Sequence, residues 1–167
     1  MPETLAEALP NETDALVEAV LKDACRQEIM LVTAESCTGG LMASLLTDVT
    51  GSGHAFERGF VTYTNESKHE LLGVPTDILD DPGPVSEVVA RAMAEGALAR
   101  SRGDLAVSIT GFAGPGKGAT PGLVHFATAR RGGETRHRRC QFEEQDRAGV
   151  RLRCVDVALE MLREQLA

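Results

Sequence analysis

Two hydrophobic rhythms alternate along this chain. Over residues 12–27 the apolar positions Leu16, Val17, Val20, Leu21 and Ala24 recur at helical spacing, which predicts an amphipathic helix opened by Asn11 or Thr13. Residues 29–34 form a β-prone apolar run whose length marks a buried strand. A Gly-Gly turn then leads to a second helix over 41–49. Residues 59–64 alternate as a second strand, and Asn65 or Ser67 is placed to open a helix through Lys68, Leu71 and Leu72 that stops at Gly73-Val74-Pro75.

The stretch 80–84, with two prolines and a glycine, is a rigid turn. Ser86 follows as an N-cap for a long helix with the stripe Val88, Val89, Ala92, Met93, Ala97. Strand-like runs follow at 104–110, 123–129 and 135–142, the last two joined by a Gly-Gly turn into a hairpin. A closing helix begins near Asp146 with the stripe Val150, Cys154, Val157, Met161. Alternating helices and strands with one hairpin predict an α/β fold, a three-layer α/β/α sandwich on a mixed sheet. One domain is expected over 1–167, with 1–11 a loose N-terminal segment.

Composition narrows the function classes. The 167 residues carry 17 Lys plus Arg against 25 Asp plus Glu, a net charge of −8, with 43% hydrophobic residues, one Tyr and no Trp. That balance argues against nucleic-acid binding, which draws its affinity from cations on phosphates. No apolar run approaches the ~20 residues of a membrane span, and no secretory leader opens the chain, so a cytoplasmic address without a membrane partner is expected. Cys25, Cys37, Cys140 and Cys154 are scattered and expected to be reduced. The basic run from Arg130 to Arg139 reads as a solvated hairpin face. His54, His69, His125 and His137 share no ligand spacing, so neither metal nor cofactor is expected.

Three stretches break the periodic pattern just past predicted strand ends, the edge where open α/β sheets bind ligands. The first runs Thr33-Ala34-Glu35-Ser36-Cys37-Thr38-Gly39-Gly40. Its glycines let amides at a helix start approach an oxyanion, Ser36 and Cys37 are both possible nucleophiles, and capping by Ser36 or Thr38 is the plainer use. The second holds Tyr63, Asn65 and Lys68, a lysine one turn into a helix that becomes a general base if desolvated. The third, Thr110 to Gly118, nearly reproduces a P-loop. Position 118 is Gly where a Mg²⁺-binding hydroxyl belongs, and the loop runs toward a strand instead of a helix, so triphosphatase chemistry is set aside. With no His in these loops, Ser36 with Lys68 is the best nucleophile and base pair.

Taken in order, Ala34-Glu35-Ser36-Cys37-Thr38-Gly39-Gly40, Gly51-Ser52, Tyr63-Thr64-Asn65 with Lys68, Gly73-Val74, Val85-Ser86-Glu87 and Thr110-Gly111-Phe112-Ala113-Gly114-Pro115 resemble the CinA C-terminal domain family. Within it, the chain looks like the stand-alone PncC-type nicotinamide-nucleotide amidases. The resemblance implies hydrolysis of the carboxamide of nicotinamide mononucleotide, a pyridine mononucleotide, with Ser36 as nucleophile, Lys68 as base and the Tyr63 hydroxyl assisting proton transfer. It further implies a substrate pocket lined by Cys37, Thr38, Gly39, Gly40, Asn65, Thr110, Gly111, Ala113, Gly114, Arg147 and Arg151, and a homodimer. A non-catalytic nucleotide-binding or dimerisation module is the alternative. The chain departs from the family pattern in a shorter loop after Pro115 and in Asp81-Pro82-Gly83-Pro84 before the Val-Ser pair.

Overall fold

The computed structural model describes residues 9–143 and 145–167. Its centre is a five-stranded sheet of β1 (Leu31–Glu35), β2 (Phe56–Val61), β3 (Leu105–Gly111), β4 (Leu123–Arg130) and β5 (Arg136–Gln141), ordered β2-β1-β3-β4-β5. β1 pairs in parallel with β2 and β3, and the β4–β5 hairpin joins β3 antiparallel. The helices are α1 (Asn11–Arg26), α2 (Leu41–Leu46), α3 (Asn65–Leu72), α4 (Thr76–Asp80), α5 (Glu87–Ala99) and α6 (Arg147–Leu166). α1, α2 and α6 cover one face of the sheet and α3, α4 and α5 the other, which makes the expected α/β/α sandwich.

Side-chain alternation sorts the two cores, because successive strand residues point to opposite faces. Leu31 of β1 and Leu105, Val107 and Ile109 of β3 meet α1 and α6, whereas Val32, Ala34 and Ala106 meet α5.

Several boundaries differ from the sequence reading. β2 begins three residues earlier, at Phe56, because its pairing with β1 starts there, after a 3₁₀ turn at Gly53–Ala55. Residues 62–64 leave the ladder and supply carbonyls and a cap to α3. That cap is Thr64, whose Oγ1 accepts the Ser67 amide at 3.1 Å, rather than Asn65 or Ser67. Thr13 does not cap α1; it is buried and donates to Asp156 at 2.6 Å. α2 stops at Leu46, and the turn over 80–84 is preceded by the short α4. The loose segment expected over 1–11 lies outside the described residues except at its end, where Asn11 already opens α1. The basic hairpin is more engaged than a solvated face: Arg138 pairs with Glu160 and Glu164 of α6, and Arg131 donates to the carbonyls of Leu98 and Gly103. Among the described residues no helix is long and apolar enough to cross a membrane.

Candidate active site

Parallel pairing puts the carboxyl ends of β1, β2 and β3 on one edge, with Glu35 opposite both Val61 and Ile109. The three irregular stretches therefore converge.

Lys68 lies one turn into α3. Helical side chains lean back toward the amino end, which carries its amine down to the carbonyls released at the end of β2. Nζ lies 3.0 Å from Ser36 Oγ and 3.2 Å from the carbonyl oxygens of both Thr62 and Tyr63. The residue is 2% exposed. Burial strips water from the ammonium and lowers its pKa from 10.5 to about 8. Three acceptors suit the three protons of the charged form. In the neutral form two N–H groups hold the carbonyls and the lone pair faces the Ser36 hydroxyl, so the base is aimed in the state that can act.

Ser36 opens the turn between β1 and α2, its amide tied to Ile109 O at 3.0 Å. Gly39 and Gly40 take φ of 60° and 95°, left-handed values that favour glycine and let the chain double back into α2. The amides of Cys37, Thr38 and Gly40 donate to no main-chain acceptor among the described residues; Thr38 is fully buried, and the Cys37 amide faces its own thiol. The amides of Met42 and Ala43 are not free. The fully buried Glu35 carboxylate accepts both, at 2.9 and 3.0 Å, and so pins α2 to the strand that presents Ser36. Arg151 of α6 braces the turn from outside by donating to the Thr38 carbonyl at 3.0 Å, beside Gly39. Cys37 belongs to the core beside α6 and meets the Cys154 thiol, whose pKa that contact and burial push up. The Lys68 amine hydrogen-bonds Ser36 Oγ, whereas the Cys37 thiol meets that of Cys154.

Two contiguous clefts open on this edge. One, of about 210 Å³, is lined by Ser36, Lys68, Thr110, Pro84 and Val85. The other, of about 220 Å³, is lined by Cys37, Ala113, Gly114, Lys117 and Arg147. Tyr63, Gly111 and Phe112 border both. Tyr63 stands 71% exposed at the mouth; its carbonyl, not its phenol, meets Lys68. Thr110 Oγ1 donates to Pro84 O at 2.7 Å and anchors the 80–84 turn as a wall. Thr38, Gly39, Gly40, Asn65 and Arg151 line neither cleft: Thr38 is fully buried, Arg151 is spent on the turn's carbonyl, and Asn65 lines a separate groove with Glu66, His69 and Asp80, because the first residue of α3 points away from the turn that Lys68 faces.

The sequence reading missed Glu35, the carbonyls of Thr62 and Tyr63, and the wall formed by Pro84 and Val85. A charged residue ending an apolar strand was the available signal for Glu35. It also missed that His125 Nδ1 and His137 Nε2 come within 2.9 Å across the β4–β5 hairpin, with Glu87 3.5 Å from His137. Burial lowers both histidine pKa values. Among the described residues no group of three or more side chains is arranged to hold a metal ion.

The third loop runs from β3 into the antiparallel β4 and so does not lead into a helix as a P-loop does. A profile described as the CinA C-terminal domain matches residues 13–166. A CinA-like protein of Akkermansia muciniphila is 52% identical over 126 residues, 73% of this chain and 30% of that protein, so the chain spans about a third of this relative's length. The nicotinamide-nucleotide amidohydrolase PncC of Escherichia coli K12 is 48% identical over 138 residues, 81% of this chain and 83% of that one. The crystal structure of the competence/damage inducible protein CihA from Agrobacterium tumefaciens superimposes with a TM-score of 0.90 at 44% identity, covering 93% of this chain and 96% of that one. The match in profile, sequence and fold over nearly the whole described chain means that this protein belongs to the CinA C-terminal domain family.

Proposed function

We propose that the protein is an amidohydrolase that converts nicotinamide mononucleotide to nicotinic acid mononucleotide and ammonia by a serine–lysine mechanism. The observation that carries this reading is the buried Lys68 amine 3.0 Å from Ser36 Oγ, its other contacts being two carbonyls. The amidohydrolase relative supports the reaction class.

Neutral Lys68 takes the Ser36 proton as Oγ bonds to the carboxamide carbon. The oxyanion that forms is received by backbone amides of the Cys37–Gly40 turn, each well-placed donor being worth about 3–4 kcal/mol in comparable sites. Lys68 then returns its proton to the departing nitrogen, the C–N bond breaks and ammonia leaves. Water attacks the acyl-enzyme, Lys68 accepts its proton and passes one back to Ser36 as the acid is released. Glu35 and Arg151 hold the turn in place throughout, and the exposed Tyr63 phenol borders the cleft where it can assist the proton transfers.

The test is ammonia release from nicotinamide mononucleotide. Wild-type protein is expected to turn it over, and Ser36→Ala to abolish the release. Lys68→Arg keeps the charge but has no neutral form at working pH, so it is expected to be inactive as well. Ser36→Ala at wild-type rate would sink the covalent scheme, and a protein that only binds nucleotide would show no release in any variant.

A further inference from the structure

Amide hydrolysis draws on Ser36 and Lys68 and leaves two thiols beside them unused. Cys37 directly follows the nucleophile and lines the cleft it shares with Gly114 and Arg147, where it is 8% exposed. Cys154 stands behind it on α6 and is fully buried. Two contacts hold this part of α6 to the turn. Arg151 donates to the Thr38 carbonyl at 3.0 Å, and one helical turn further on the same helix face Cys154 meets the Cys37 thiol. All four cysteines of the chain are free, with Cys25 on α1 and Cys140 on β5. A thiol reacts as its thiolate. The hydrogen bond from Cys154 holds the Cys37 pKa below the ordinary thiol value, helped by its own amide and the Lys68 charge and opposed by burial. Cys154 is pushed up by the same contact and by burial. The sulfur that reaches the cleft is therefore the one that attacks first, and the buried sulfur is the one that resolves.

We propose that Cys37 and Cys154 are an oxidisable dithiol that hydrogen peroxide closes to a disulfide, and that this link, by tethering the residue after Ser36 to α6, switches the site off reversibly. The Cys37 sulfur attacks one peroxide oxygen and the O–O bond breaks. The other oxygen leaves as water after taking a proton, and Cys37 becomes a sulfenic acid. The Cys154 sulfur then attacks the Cys37 sulfur, the S–O bond breaks, that oxygen leaves as a second water with the Cys154 proton, and the S–S bond forms. Two thiols lose two electrons, and one peroxide is reduced to two waters. Closing the bond draws the sulfurs from non-bonded contact to about 2.0 Å, which pulls the Cys37 backbone toward α6 and carries Ser36 away from the Lys68 amine. The loss of hydrolysis rests on the amidase reading of Ser36 and Lys68, whereas the formation of the disulfide does not.

Peroxide treatment of the full chain, followed by alkylation of the remaining thiols and unreduced peptide mapping by mass spectrometry, reads the link directly. The peptides holding Cys37 and Cys154 are expected to be joined, with the mass of two hydrogens lost. Ammonia release from nicotinamide mononucleotide should fall by about tenfold or more and return on treatment with dithiothreitol. Cys154→Ala should turn over near the wild-type rate before oxidation, form no link, and accumulate a Cys37 sulfenic acid that dimedone traps. Wild-type protein in which Cys37 and Cys154 stay unlinked, or in which Cys154 joins Cys140 instead, overturns the dithiol. A linked protein that keeps its full rate overturns the switch. If the link forms but the reduced protein releases no ammonia, the dithiol stands and the amidase reading falls.

Discussion

The two faces of the sheet are built from different materials. On the side of α1, α2 and α6 the strands present Leu31, Leu105, Val107, Ile109 and Phe126 to large aliphatic partners. On the side of α5 they present Ala34, Ala106, Ala127 and Ala129, and α5 answers with Ala90, Ala94 and Ala97. Small residues on both sides let the helix sit close to the strands: Ser108 Oγ reaches the Ala90 carbonyl at 2.6 Å. The same closeness extends to α3, since a Cβ on Gly96 would lie 2.0 Å from the carbonyl oxygen of Leu72. Leu72 is the last residue of the helix that carries Lys68. The first face is filled by large side chains, whose burial contributes most per residue, while the small-residue face sets by backbone contact where the Lys68 amine stands.

The largest expected effect tests that division at the amine itself. Lys68→Met should lower kcat/KM for amide hydrolysis by about 10²–10⁴-fold, the usual worth of a general base. It should also change how stability depends on pH. The folded-state pKa of about 8 lies below the 10.5 of the free side chain, so the unfolded chain binds the proton more readily. Below pH 8 this costs the native state about 3 kcal/mol, and the cost is relieved as pH rises from 8 to 10.5. Denaturant titrations at pH 7.5 and 10 should show that gain in wild type and lose it in Lys68→Met. The wild-type kcat/KM should itself rise with pH, with an apparent pKa near 8.

Phe126→Ala probes the opposite face. It should destabilise by about 3–5 kcal/mol, as for buried aromatic truncations, while kcat at a temperature where the variant is folded stays within a few-fold of wild type. A large loss of kcat in the folded variant would break the distinction between the faces.

Gly96→Ala should be smaller in stability and larger in function. The methyl must push α3 from α5, costing about 1–3 kcal/mol, and should lower kcat more than it changes KM because Lys68 moves with its helix. Unchanged kcat would show that α3 position is not set there. Ser108→Ala is the mildest, removing one hydrogen bond of about 0.5–1.5 kcal/mol, read as a small shift in the denaturation midpoint with little change in rate.

Much of this was legible in the chain. Helices longer than two turns announced themselves through spacing, and the Gly39-Gly40 turn through residues that tolerate positive φ. Ser36 and Lys68 were legible as a pair from the irregular loops and the family motifs. Less legible were features that depend on partners distant in sequence. The start of β2 moved to Phe56 because strand limits are set by the neighbouring ladder, not by local alternation. Asn65 sits two residues from Tyr63 and three from Lys68, yet helix rotation turns it into another groove. His125 and His137 meet only because hairpin register brings the strands together.

The sequence by itself determined the layered α/β class, the order of its elements and the pairing of Ser36 with Lys68 as candidates, because periodicity, turn residues and residue chemistry are local properties. Tertiary structure alone decided that Lys68 is buried and its pKa depressed, and that the carbonyls of Thr62 and Tyr63 hold it. It alone decided that Glu35 occupies the α2 amides and so pins that helix to the strand before Ser36. Solvent exclusion and hydrogen-bond partnering are made by residues brought together from separate elements, and no window along the chain contains them.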